Sequence, residues 1–284
     1  MGTAAPATFG TTDEGAPQTA RAAMGYCKRT ERQPFFYANA HEKDFVPLAP
    51  VEMEIIDARG VETSLDREGF VLVEHASTCE DLADLDASIE THREEIADLL
   101  KRVTGCDQVV MTPMGILRYS ERSGRTGSTD NSHPARFAHV DMAKDAAKAA
   151  RTKTAPEGRN VVRSAQYNVW RVLSAPPQDV PLALCDYTSL DETKDLIDSL
   201  AIFDPPDGSP EWSFGNYLIA HNPAHRWHYY SNMHPGEAII FKTSDSDPNA
   251  AQMMPHGAFD NPLAPEDGPS RISLEMRGTC YWFE

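Results

Sequence analysis

Phe137-Ala138-His139-Val140-Asp141 is the stretch whose reading decides the fold. It reads as the end of a β-strand, where side chains alternate between faces, so His139 and Asp141 project to the same side. One further imidazole would complete a set of two histidines and one carboxylate, which holds a divalent transition metal and leaves positions open for chemistry. An H-x-D pair is common by chance. Its weight depends on what the rest of the chain supplies.

Working outward, the sequence downstream of Gln108 is a series of short strand-like runs separated by Pro, Gly and Asp. They cover 109–119 (with a bend or edge at Pro113 and Gly115), 165–173, 181–186, 214–220, 226–231, 237–243, 251–259 and 271–283. An alanine-rich helix over 142–153 and a helical insert over 191–203 interrupt the series. Many short strands without β-α-β alternation predict a mainly β fold with flanking helices, either a sandwich or a barrel. Upstream, 51–55 and 69–73 read as strands joined through a turn at 57–60. Ser77 and Glu80 form a capping-box pattern ahead of an apolar stripe (Leu82, Leu85, Ile89, Ile96, Leu99, Leu100, Val103) that stops at Gly105, a helix suited to buttressing one face of a sheet. Residues 1–33, rich in Ala, Gly, Thr and Pro, predict a mobile arm or a segment ordered only by packing. The expected organisation is therefore an arm over 1–33 and one domain over 34–284, with its core at about 108–284 and a buttress at about 50–107. The polar, glycine-rich stretch 120–134 just before the H-x-D is a lid candidate.

Among the 284 residues, 43 acidic against 26 basic side chains give a formal net charge of −17, which argues against nucleic acid or an anionic membrane as partner. No window reaches the ~18 uninterrupted apolar residues of a membrane span. The first residues lack the basic and apolar regions of a secretion signal, and Pro6 stands where a myristoylation motif wants Ser or Thr. Five scattered cysteines with no C-x-x-C pair suit reduced thiols and a cytoplasmic protein. A homodimer is left open.

Ten histidines compete to be the third ligand. His221, His225, His228 and His234 crowd together, but Pro223 breaks any helix through them and 226–230 reads as a strand, so hydrogen-bonding or contact roles are expected there. His256 is the stronger candidate. It ends an apolar run, and Arg271-Ile272-Ser273 opens the last strand 15 residues later. Arg271 and Ser273 share a face, where a guanidinium and a hydroxyl can together grip a carboxylate. Such a grip suits 2-oxoglutarate, whose 2-oxo acid end chelates Fe(II) while its distal carboxylate needs a cation. Arg277, on the same face as Arg271, is the rival anchor.

The order H-x-D, a distal His 115 residues on, then R-x-S resembles the Fe(II)/2-oxoglutarate-dependent oxygenases. A closer resemblance runs from about residue 50: IDARG at 56–60, DREGFVLV at 66–73, KRVTG at 101–105, YNVWRVL at 167–173, PLALCDY at 181–187, His225-Arg226-Trp227, FKTSDSD at 241–247, 255–259 and 271–277. These are similar to the hydroxylase/desaturase family of fungal and bacterial secondary metabolism. The resemblance implies a double-stranded β-helix, a jelly-roll or cupin-like barrel buttressed by α-helices. It implies that His139, Asp141 and His256 hold Fe(II), that Arg271 with Ser273 binds 2-oxoglutarate, and that O2 is the second co-substrate. The partner implied is a small-molecule substrate, which the enzyme hydroxylates, desaturates or cyclises with release of succinate and CO2. Asn168, Trp170 and Arg171 also stand out; alternation lets Asn168 face the pocket, and it is the preferred pocket residue. Val172 replaces the family's usual Pro, and Met142 its usual Gln, changes beside the pocket that bear on substrate identity. The readings left in competition are a cupin-like metalloenzyme using the same triad without 2-oxoglutarate and a non-catalytic β-sandwich binding protein.

Overall fold

The structure, a computed structural model, is described for residues 18–125, 133–205 and 207–284. In chain order the elements are β1 (Thr19–Cys27), β2 (Phe35–Tyr37), β3 (Leu48–Asp57), β4 (Phe70–Glu74), α1 (Leu85–Thr104), β5 (Gln108–Met111), β6 (Ile116–Tyr119), β7 (His139–Val140), α2 (Lys144–Lys153), β8 (Val161–Val172), β9 (Leu182–Cys185), α3 (Glu192–Asp195), β10 (Leu196–Phe203), β11 (Trp212–Ile219), β12 (Trp227–Tyr229), β13 (Glu237–Asp245), β14 (His256–Ala258) and β15 (Ile272–Phe283). One sheet runs β1-β3-β12-β9-β14-β7-β11-β10-β2 and the other β4-β13-β8-β15-β5, with β6 also on β15. They face each other as the expected double-stranded β-helix.

The central strands of the smaller sheet are buried on both faces, which is why they read as near-continuous apolar runs. On the inner face Trp170, Val172, Ile239 and Phe241 meet Leu182, Leu184, Met254 and Tyr230 of the larger sheet. On the outer face Tyr167, Val169, Ile240 and Met276 meet Ile96, Leu99 and Leu100 of α1. Alternation along β15 sends Ser273, Glu275 and Arg277 inward and Met276 and Cys280 toward the helix. Helix and strand approach so closely at Gly278 that a Cβ there would lie 2.7 Å from Leu100 Cδ1.

Four expectations are corrected. The segment expected as an arm contributes an edge strand: β1 pairs with β3 from Thr19↔Ile56 to Cys27↔Leu48. Its Met24 and Tyr26 are buried with Val140, Ile219 and Trp227 on the face of the large sheet opposite the histidines. A Cβ at Gly25 would lie 2.0 Å from the Arg136 carbonyl oxygen, and the Gly25 carbonyl accepts the Ala138 N–H at 2.9 Å. Residues 1–17 lie outside the described residues. Second, α1 is capped by Asp84, which accepts from the Ala87 N–H at 3.2 Å, and not by Ser77. Ser77 and Thr78 instead donate to the Glu95 carboxylate at 2.5 and 2.6 Å, a tertiary use that local pattern does not reveal. Third, 191–203 is helical only over Glu192–Asp195; β10 follows, its Ile197, Ser199 and Ala201 buried on one face with a period of two. Fourth, the strand expected over 251–259 is confined to His256–Ala258.

β13 carries a bulge. Its pairing with β8 runs Phe241↔Asn168 and Lys242↔Tyr167, then resumes at Ser244↔Gln166, leaving Thr243 as the extra residue. Of the lid expected over 120–134, residues 126–132 lie outside the described residues. Ser120 itself is buried and donates to Asp179 Oδ2 at 2.8 Å. No helix among the described residues is long and apolar enough to cross a membrane.

Candidate active site

β7 and β14 are neighbours, with His139 and His256 in direct register, so the two imidazoles leave one face side by side, ring centroids 4.3 Å apart. Asp141 stands just past the end of β7. Its Oδ1 is 3.8 Å from His139 Nε2 and its Oδ2 3.9 Å from His256 Nε2. One ligand atom from each of the three lies within 4.8 Å of the others, spacing that suits a single metal ion.

Both rings are locked from behind. His139 Nδ1 donates to the Phe137 carbonyl at 3.0 Å and His256 Nδ1 to the Met254 carbonyl at 2.9 Å. Each ring is thereby oriented with Nε2 toward the other two side chains. Burial and the neighbouring His256 outweigh Asp141 and push the His139 pKa down to about 3. Burial raises the Asp141 pKa, but Arg277, His256 and His139 outweigh it and hold the carboxyl well below the usual range. The group is thus a carboxylate with two imidazoles, a donor set suited to a dication.

The cleft at the triad is lined by His139, Asp141 and His256 together with Arg118, Trp170, Leu182, Arg271, Glu275 and Arg277. Arg271 is 2% exposed, its backbone N–H on Asp179 Oδ1 at 2.8 Å and its Nη1 on the Val180 carbonyl at 2.6 Å. Its guanidinium carbon sits 5.4 Å over the Trp170 ring. Burial, with Arg118 and Arg136 nearby, pulls the Arg271 pKa down to about 9, the mark of a cation short of counter-charge. Arg271 Nε and Ser273 Oγ are both buried without a hydrogen-bond partner. Two buried donors left open on one strand face fit an anion of carboxylate size.

The other singled-out residues separate by role. Asn168 does not line the cleft: its Nδ2 donates to Asp141 Oδ2 at 2.7 Å and its Oδ1 accepts from Thr243 Oγ1 at 2.7 Å. Arg277 donates through Nη2 to Asp141 Oδ1 at 2.9 Å and through Nε to Glu275 Oε1 at 2.8 Å. Arg171 is on His75. Of the four crowded histidines, His221 and His225 both lie against the Tyr26 ring, at 5.0 and 5.6 Å, and the other two lie elsewhere. His225 bridges Asp195 at 2.9 Å and Tyr26 at 3.0 Å, His228 faces Phe70, and His234 joins Glu237 and Glu74 at the surface. Sequence reasoning missed Arg118, Leu182 and Glu275; it singled out Trp170, which does line the cleft, but preferred Asn168. Register alone could have found two of them, since Arg118 pairs with Ser273 and Trp170 with Glu275. A larger cavity of about 380 Å³, lined by Glu121, Arg122, Arg136, Asp179 and Asp260, contains no triad member. Its charges already pair, Arg136 with Glu121 and Asp260, Arg122 with Asp179.

Comparison with known proteins agrees with this arrangement. A family model described as "Oxidoreductase/YMDC permease-like domain" matches residues 24–281. The hydroxylase/desaturase efuI of Hormonema carpetanum is 30% identical over 251 residues, 82% of this chain and 83% of its own. The hydroxylase/desaturase CTB9 of Cercospora beticola is 31% identical over 242 residues, 77% of this chain and 72% of its own. The Fe(II)/2-oxoglutarate-dependent dioxygenase nvfI of Aspergillus novofumigatus is 29% identical over 240 residues, 80% of this chain and 82% of its own. In fold, the chain is similar to a solved structure of the iron and alpha-ketoglutarate-dependent endoperoxidase NvfI, with a TM-score of 0.77 at 22% identity, covering 96% of this chain and 100% of that one. The chain belongs to the hydroxylase/desaturase family of Fe(II)/2-oxoglutarate-dependent dioxygenases.

Proposed function

We infer that His139, Asp141 and His256 hold one Fe(II), that Arg271 and Ser273 take the distal carboxylate of 2-oxoglutarate, and that the enzyme oxidises an unactivated C–H bond of a secondary metabolite. The observation that carries this reading is the open buried donor Arg271 Nε on the cleft that also contains the three metal-spaced side chains, with a second open buried donor, Ser273 Oγ, two residues along the same strand. When bound, the iron and its co-substrate supply activation of O2, one oxygen atom going to succinate with loss of CO2 and the other to substrate: R–H + O2 + 2-oxoglutarate → R–OH + succinate + CO2.

The chain's own residues bind, orient and exclude. The Phe137 and Met254 carbonyls hold the two Nδ1 atoms and so aim each histidine Nε2 at the site. Arg271 is held stiff by Val180 and Asp179, so an incoming carboxylate meets a preorganised fork. Trp170 and Leu182 line the space between and keep water from it. We assign residues 34–284 to one oxygenase domain, to which β1 adds an edge. The five free cysteines fit a reducing compartment, and we place the enzyme in the cytoplasm.

The test needs no substrate. Anaerobic addition of Fe(II) and 2-oxoglutarate should give the visible charge-transfer absorption of a metal-chelated 2-oxo acid, and admission of O2 should then yield succinate. His256→Ala should lose iron, absorption and succinate together. Iron binding without that absorption would favour a metalloenzyme that does not use 2-oxoglutarate. If His225→Ala lost iron while His256→Ala kept it, the ligand assignment would be wrong.

A further inference from the structure

We propose that Asn168 and Arg277 are positioning residues that clamp Asp141 from the facing sheet, so that its carboxylate keeps its place between His139 and His256, with Thr243 and Glu275 holding the two jaws. The proposal rests on the reading that the triad binds iron. It replaces the expectation that Asn168 and Arg277 contact the co-substrate.

Asp141 needs such a hold because β7 ends at Val140 and leaves it in a bend, without strand pairing to fix it. The facing sheet supplies the fixing. Asn168 and Arg277 are register partners on β8 and β15, and their inward side chains meet the carboxylate together. The neutral amide takes Oδ2 at 2.7 Å and the guanidinium takes Oδ1 at 2.9 Å, one donor to each oxygen.

Each jaw is itself held. An asparagine amide can turn over and would then present its oxygen to the carboxylate, which repels it. The acceptor-only Asp141 carboxylate selects the NH2 side, and the Thr243 hydroxyl donates to Asn168 Oδ1 at 2.7 Å and steadies the amide in that orientation. Thr243 is the bulge residue of β13, and bulges next to active sites commonly re-aim one side chain. Arg277 is drawn to Glu275 through both Nε and Nη2, at 2.8 and 2.7 Å. Arg277 thus spends Nε and Nη2 on Glu275 and Asp141, and both polar atoms of the Asn168 amide are engaged.

The hold would matter to a metal because the three side chains can present their ligand atoms together only while the carboxylate keeps its place between the imidazoles. Each carboxylate oxygen takes one donor from behind and keeps a lone pair for a metal. Outer partners of metal ligands typically matter by about 10–100-fold in metal affinity.

The experiment measures Co(II) affinity and visible spectrum on the full-length metal-free protein, plus the 2-oxoglutarate concentration giving half the Fe(II) charge-transfer absorption at saturating metal. Arg277→Met and Asn168→Leu should each weaken Co(II) about 10–100-fold and alter its spectrum. Arg277→Lys should recover part of the loss. Half-saturation by 2-oxoglutarate should stay within a few-fold of wild type in these variants, in contrast to Arg271→Met. Thr243→Val and Glu275→Gln keep both donors and should weaken Co(II) about 2–10-fold, so the proposal remains testable if the larger changes impair folding. Wild-type affinity and spectrum in Arg277→Met, or in Thr243→Val and Glu275→Gln together, overturns the clamp. So does a 2-oxoglutarate defect in Arg277→Met as large as that of Arg271→Met. Retention of Co(II) by His256→Ala would instead overturn the underlying triad.

Discussion

Arg271 and Ser273 sit two positions apart on one strand face, yet they should contribute unequally. Arg271 is a buried cation whose Nη1 is already spent on Val180, leaving Nε and its charge for the co-substrate. Ser273 offers one neutral donor. Losing a charge-assisted bond costs roughly 1.5–3 kcal/mol and a neutral one roughly 0.5–1.5 kcal/mol. Arg271→Met should therefore raise the 2-oxoglutarate requirement by about 10–100-fold, and Ser273→Ala by less than about tenfold, with metal affinity unchanged in both. Titration of 2-oxoglutarate into the Fe(II) enzyme reads this directly, and an equal or reversed order would contradict the assignment of Arg271 as anchor. At this scale the sequence was most legible where chemistry is carried by residue type and parity: two residues apart on a strand, then a lone His, then R-x-S. It was least legible for Asn168 and Arg277. Alternation places both on the inner face, but whether they meet the co-substrate or Asp141 depends on the facing sheet.

The start of α1 illustrates how an element can be recognised while its boundary is misplaced. Ser77 and Glu80 have the spacing of a capping box, and the apolar stripe that follows is genuine. The Ser77 and Thr78 hydroxyls and the Thr78 N–H nevertheless turn to Glu95, nearly three turns into the helix, and Asp84 takes over the cap. Burial raises the Glu95 pKa, but bonds from Ser77, Thr78 and His92 outweigh it and bring it down to about 2. Because the folded pKa lies below the unfolded one, the ionised carboxylate stabilises the fold fully above pH ~4.5, and this contribution fades as pH falls toward about 2. Glu95→Gln should cost on the order of 1–3 kcal/mol at neutral pH and flatten the acid limb of the stability curve in that window. Denaturant melts at several pH values check it; an unchanged acid limb would mean that these bonds form equally in the unfolded chain. β10 was misread for a related reason. Its acidic opening, Asp191 to Asp195, does form a helical turn, and only the two-residue period that follows reveals the strand.

For the molecule as a whole, the apolar clusters that hold the two sheets, α1 and β1 together do not draw on the triad. Metal should therefore raise stability without being required for folding. A divalent ion present at about 100 times its dissociation constant adds about 2.7 kcal/mol, or roughly 5–10 °C in melting temperature for a chain of this size. Mn(II) should produce that shift, a chelator should reverse it without unfolding the protein at room temperature, and His256→Ala should abolish it. Unfolding by chelator alone would make the metal structural. The mainly β class was readable from the density of short strands, and the barrel from the family resemblance. β1 was not, because its alanines, glycine and arginine lack β-branched bulk and become strand-like only through the pairing surface that β3 offers.

The bulge in β13 couples two places that share no atoms. In a regular strand residues three apart point to opposite faces, yet Lys242 Nζ reaches Asp245 Oδ2 at 2.6 Å on the outer face of the sheet, while Thr243 between them turns inward to Asn168. The single extra residue reverses the phase of the strand, so the iron side and the helix side each receive the groups they need. What this segment must preserve is its length more than its lettering. Many substitutions at 242–245 would leave that phase intact, whereas losing the extra residue would return a regular ladder that keeps Lys242 and Asp245 together on the outer face and takes away the hydroxyl that reaches Asn168.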